Sequence, residues 1–113
     1  MRSEIHTKGV GVDEHQDEYL MRRLRYALGR FATRIRHVTV HFDDVNGARG
    51  GADKRCRIIV TLIPSGSIRV EDTDSDLYAV VARAADRLAR AVGRELERRR
   101  EFGQFFTRQR VPQ

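Results

Sequence analysis

Apolar residues along this chain recur with two different periods, and the points where one period gives way to the other mark its elements. Ile5 and Thr7 belong to a short, weakly alternating run before Gly9 and Gly11, which reads as a first strand. Asp13 then offers a helix N-cap, with Gln16 three residues on as in a capping box and acids in the first turn. From there to about Arg34 the period is helical, and Leu20, Leu24, Ala27, Leu28 and Phe31 form one stripe. Alternation returns at Ile35: Val38, Val40 and Phe42 oppose His37, Thr39 and His41, as in a sheet covered on one face only. Cys56, Ile58, Val60 and Leu62 continue the apolar face, while Arg57, Ile59, Thr61 and Ile63 point the other way. Pro64, Ser65 and Gly66 mark a turn, and Ile68 and Val70 alternate with Ser67, Arg69 and Glu71 in a further strand. Thr73 is the expected N-cap of a last helix, with Asp74 and Asp76 at its positive end. Leu77, Val81, Ala84, Leu88 and Val92 are its expected buried stripe, and Gly103 its expected stop after Phe102.

The order strand, helix, strand, strand, strand, helix predicts an α+β two-layer domain. A right-handed parallel crossover should join the first two strands, antiparallel hairpins should follow, and both helices should cover one sheet face. At 113 residues the chain has the length of one domain, expected over 1–103, with a basic, mobile tail over 104–113.

Charge sharpens this picture. The chain carries 22 Lys and Arg against 16 Asp and Glu, a net charge of +6. A small domain this basic is expected to meet polyanions, nucleic acid first among them. The single cysteine, Cys56, excludes an intrachain disulfide. No apolar run approaches the roughly 18 residues a membrane-spanning helix needs, and no apolar leader segment follows Met1. A cytoplasmic setting without membrane partners is the expectation.

The arginines are not scattered. Arg83, Arg87, Arg90, Arg94 and Arg98 repeat at four- and three-residue steps, which places them on one line of the last helix, apart from its apolar stripe. Part of that charge has a structural use, because cations stabilise a helix C-terminus and Arg83 and Arg98 have Asp86 and Glu95 three residues away. Arg22, Arg25 and Arg30 flank the stripe of the first helix. Between the second and third strands, HFDDVNGARGGADKRC (His41 to Cys56) reads as a long glycine-rich basic loop with Arg49, Lys54 and Arg55 in and beside it. Arginine predominance favours phosphate, because guanidinium forks onto it. The polar sheet face has no aromatic pair on which bases would stack, so contacts should be mainly to phosphates and RNA shape.

Two of these stretches resemble a known family, the ribosome hibernation promoting factors, also called ribosome-associated translation inhibitors or sigma-modulation proteins. VTVHFDDVNGARGGADKRCRIIVTL, from Val38 to Leu62, is similar to the loop and strands of a short-chain branch of that family. DSDLYAVVARAADRLARAVGR, from Asp74 to Arg94, is similar to the family's last helix, with Asp76, Tyr78, Ala79, Asp86, Arg87 and Leu88 at matching places. Where many members carry Pro or Lys in the loop, this chain has Ala48 and Arg49. The resemblance implies a dsRBD-like fold and binding to the small ribosomal subunit and its rRNA, in the channel that holds mRNA and tRNAs. The bound protein would block both ligands and keep the ribosome inactive under stress. Arg87, Arg90 and Arg94, with Lys54 and Arg55, are the residues the resemblance assigns to rRNA. Arg22, Arg25, Arg30 and Arg83 are assigned by charge geometry. The C-terminal dimerisation domain of long-form members is expected to be absent, and the protein to be monomeric off the ribosome.

Other residues have plainer readings. Cys56 lies on the inward phase of its strand and reads as a small buried hydrophobe. His37 and His41 share a strand face without the spacing of a metal motif, so no metal or other cofactor is expected. Asp43 and Asp44 are expected to shape the loop, and Tyr78 to pack. No convergent acid, base or nucleophile set is visible, so neither an enzyme nor a small-molecule substrate is expected. A general double-stranded RNA-binding module, or a protein-interaction domain using the open sheet face, remain the alternatives to a ribosome-binding inhibitor.

Overall fold

The computed structural model describes residues 2–45 and 53–109, with side chains as far as residue 102. The elements are β1 (Arg2–Lys8), α1 (Glu14–Leu28), a 3-10 segment (Gly29–Arg34), β2 (Ile35–Asp44), β3 (Lys54–Leu62), β4 (Ser67–Asp74) and α2 (Leu77–Gln109). This is the expected β-α-β-β-β-α order. The four strands form one sheet in the order β1-β2-β3-β4. β1 runs parallel to β2, and the other two pairings are antiparallel.

The alternation along β2 and β3 sets the register. Val38 pairs with Val60, Val40 with Ile58 and Phe42 with Cys56, so three apolar pairs share one face. All six side chains are fully or almost fully buried. Onto them α1 lays Leu20, Leu24, Ala27 and Leu28, and α2 lays Leu77, Val81, Ala84, Leu88 and Val92. Both helices therefore cover the same face, and the other remains open. That open face carries His37, Thr39 and His41 of β2 opposite Thr61, Ile59 and Arg57 of β3.

Local chemistry explains the element ends. Asp13 caps α1 reciprocally: its carboxylate accepts from Gln16 N–H at 2.8 Å, and the Gln16 side-chain oxygen accepts from Asp13 N–H at 3.0 Å. Gly66, at φ +94°, closes the β3–β4 turn, where its carbonyl accepts from Leu62 N–H at 2.9 Å.

Three expected ends are corrected. The helical period through Arg34 is not one α-helix: it tightens at Gly29 into the 3-10 segment that turns the chain into β2. Thr73 does not cap α2. It pairs with Arg55 inside β4, and Asp76 takes the capping place, its carboxylate accepting from Tyr78 N–H at 3.0 Å. Gly103 does not stop α2, whose backbone remains helical to Gln109. A glycine inside a helix costs only about 1 kcal/mol relative to alanine, too little to end it alone. The expected tail over 104–113 falls partly on this helix, and residues 110–113, like Arg49 and the glycines of the loop, lie outside the described residues.

Candidate nucleic-acid interface

The arginine line of α2 is divided by its surroundings. At its N-terminal end, β4 turns Asp72 toward the helix layer. Arg83 Nε lies 3.0 Å from that carboxylate, and its terminal nitrogen reaches Asp74 at 2.8 Å and the Thr73 carbonyl at 3.1 Å. Arg87 stands 3.7 Å from the same Asp72. Desolvation alone would raise Asp72, but Arg83, the Thr73 N–H and Arg87 hold its carboxyl below the usual carboxylate range, and Asp74 is lowered first by the Asp76 N–H and then by Arg83. At the other end, Arg98 and Arg99 both grip Glu95, whose carboxyl is lowered to about 2 by their hydrogen bonds. The middle of the line differs. Arg90 and Arg94 are exposed and carry no ion pair among the described residues.

Arg83 does not use Asp86, its sequence neighbour. Asp86 is taken by Arg23 of α1 at 2.9 Å, and Arg23 also donates to the Ala82 carbonyl at 3.3 Å. This clasp joins the helices and bounds a groove between them. Tyr26, Ala27, Arg30 and Ala89 line the groove beside the clasp. Arg30, Phe31, Arg90, Gly93 and Arg94 line its continuation. The guanidinium of Arg30 lies 4.6 Å from the Phe31 ring centre, held over an aromatic face rather than by an acid.

The remaining expected residues lie elsewhere. Arg22 sits over Tyr19 at 5.7 Å, and Arg25, near the end of α1, is exposed and has no ion pair among the described residues. Lys54 donates to the Ser75 carbonyl at 3.1 Å. Arg55 donates through Nε to Asp43 at 3.1 Å and holds that carboxyl below its ordinary value. Of the residues named from sequence, the structure thus gathers Arg30, Arg90 and Arg94 at one groove, and ties Arg55, Arg83 and Arg98 to carboxylates.

Sequence reading missed Tyr26, which is 88% exposed. The signal was available, since position 26 falls off the Leu20–Leu24–Ala27–Leu28 stripe. It also missed the stack of His6 on His41, with ring centres 4.9 Å apart on the open sheet face. Burial, Arg57 and His6 together lower the His41 pKa below its ordinary 6.5. Cys56 and Tyr78 meet their plain readings. The first is buried with its thiol pushed up to about 12, and the second packs edge-on against Tyr19.

Strand order, crossover and the two-helix layer define a dsRBD-like α+β domain with a partly uncompensated basic helix face. The chain belongs to the family described as Sigma 54 modulation protein / S30EA ribosomal protein, which matches residues 3–100. This is the ribosome hibernation promoting factor family that the loop and last-helix motifs resemble. Among solved structures, the N-terminal domain of Protein Y from Thermus thermophilus is 29% identical, with a TM-score of 0.65 over 80% of this chain and 92% of that one. A ribosomal subunit interface protein from Coxiella burnetii shares the fold at 17% identity, with a TM-score of 0.67 over 85% of this chain and 99% of that one. No curated protein matches the chain by sequence.

Proposed function

We propose that this protein is a non-catalytic, cytoplasmic translation inhibitor that occupies the mRNA–tRNA channel of the small ribosomal subunit through contacts to rRNA phosphates. The single observation that carries this reading is the set of guanidiniums with no ion pair among the described residues, Arg30, Arg90 and Arg94, gathered at one groove of a chain whose family is ribosome-associated. A cation already held by a carboxylate offers little net charge to a phosphate, whereas an unpaired one releases counterions when it binds. Arg25 and Arg22 extend the basic surface along α1. Arg83, Arg87 and Arg98 act first as internal ties. The mechanism is occupancy: the folded body fills space that mRNA and tRNA need. Among the described residues, no helix is long and apolar enough to cross a membrane.

The test is co-sedimentation with ribosomes and separated subunits across a salt series, with a competing RNA duplex. Salt-sensitive pelleting with the small subunit that resists the duplex supports the reading. Protein left in the supernatant refutes it. Protein stripped off by the duplex replaces it with a general double-stranded RNA-binding module.

A further inference from the structure

The α1–α2 groove has two unlike halves, and the difference between them indicates more than phosphate binding. The half beside Tyr26 is a recess of about 330 Å³, floored by Ala27 and Ala89 and bounded by the Arg23–Asp86 clasp. Within the clasp the Arg23 and Asp86 charges offset each other, which leaves Arg30 as the one cation of its lining without an ion pair among the described residues, and the Asp86 carboxylate is 59% exposed there. A phosphate would meet that carboxylate and be repelled. A flat, uncharged ring would not. The Tyr26 ring stands at this recess with no ring partner among the described residues. The other half, about 430 Å³, shares Arg30 and Ala89 with the first and adds Arg90 and Arg94. Its acid, Glu97, is engaged by Arg100 at 2.8 Å. With Arg30, Arg90 and Arg94 on its lining against Arg30 alone on the first, phosphate suits this half better.

We propose that the groove holds one unstacked nucleotide of single-stranded RNA, its base against Tyr26 and its flanking phosphates on Arg30, Arg90 and Arg94. The proposal rests on the RNA-binding part of the reading above and adds a base subsite to it. Unpaired bases stack on exposed aromatic rings regardless of sequence, and adjacent guanidiniums hold the backbone. Both halves have volumes in the range of small-molecule sites.

The experiment compares a short single-stranded RNA with an oligomer of the same length whose bases are removed. Because the chain has no tryptophan, Tyr26→Trp gives a lone fluorescent reporter at the recess. The intact RNA is expected to quench it and the abasic oligomer to leave it unchanged. Tyr26→Ala should weaken binding of the intact RNA roughly 5- to 100-fold, Tyr26→Phe should stay near wild type, and neither should alter the abasic affinity. Tyr26 is exposed, so these variants should melt with the wild type. The base subsite is overturned if Tyr26→Ala binds the intact RNA as tightly as wild type. It is also overturned if the reporter responds equally to both oligomers, or to neither, as it would if the groove receives a protein segment. Ribosome pelleting is scored separately. Retained pelleting with a silent Tyr26 leaves the inhibitor reading standing without the subsite, and lost pelleting with a responsive Tyr26 does the reverse.

Discussion

Removing the three unpaired groove charges should change the salt dependence of ribosome binding much more than removing paired ones. The variant Arg30→Gln/Arg90→Gln/Arg94→Gln deletes guanidiniums that have no carboxylate partner among the described residues. Each phosphate contact contributes a slope of about 0.7 to 0.9 in log affinity against log salt, so three should flatten it by about 2 to 2.7. Between about 50 and 200 mM salt, wild type should therefore lose about 20 to 40 times more affinity than the variant does. The comparison is Arg83→Gln/Arg98→Gln, which deletes cations already held by Asp72 and Asp74 and by Glu95. Its slope should stay near wild type while its melting temperature falls, because Asp72, 13% exposed, loses its principal partner. The assay is quantitative co-sedimentation with small subunits at five or so salt concentrations, with circular dichroism melts of each variant as the folding control. An equal flattening per arginine in the two variants would refute the reasoning, since internal pairing would then not decide which cations meet RNA.

Other expectations follow from single sites. Gly93→Ala should raise stability by about 0.5 to 1 kcal/mol, since alanine suits a helix interior better and the nearest neighbour lies at ordinary contact distance, and a thermal melt reads the gain. Asp76→Ala should lower stability by about 1 kcal/mol by removing the α2 cap, measured by urea denaturation. His41 titrates below 6.5 in the folded state, so the unfolded chain takes up its proton first as pH falls. The His41 contribution should be fully present well above pH 6.5 and be lost as pH falls through 6.5 and on through the lower folded-state pKa, and His41→Gln should reduce that decline in melts taken across the range. Cys56 should resist a thiol-specific disulfide reagent at neutral pH until denaturant is added, because its thiol is buried and raised to about 12; rapid labelling of the native protein would contradict its placement.

Much of the fold was legible because its signals are local. The alternation of Val38, Val40 and Phe42 against Cys56, Ile58, Val60 and Leu62 defines one face of two strands, and pairing them in that register follows from burying it. Asp13 with Gln16 announces a helix start within four residues. The failures share a cause as well. Thr73 is an acceptable cap by type, but its backbone is committed to β3 through Arg55, a partner 18 positions away. Arg83 has Asp86 in reach on its own helix and binds Asp72 and Asp74 of β4 instead. Helix-spacing rules see one helix at a time, so they count Arg83 with Arg90 and Arg94 although their environments differ. The aromatic at the groove carries a weaker signal: Tyr26 lies off the buried stripe of α1, and a lone aromatic there has no spacing motif to mark it.

The inward turn of Asp72 has a consequence for how these molecules behave when crowded together. Among the described residues β4 is an edge of the sheet. A second molecule adding a strand there would place its side chains beside a carboxylate pointing into the helix layer and clasped by Arg83 and Arg87. It would have to match that charge or leave it facing an apolar residue. The opposite edge, β1, alternates Arg2, Glu4 and Lys8 along its rim. Charges placed this way discourage strand-to-strand stacking. The sheet is thereby guarded against growing into larger assemblies at the concentrations a protein reaches when many copies are made at once.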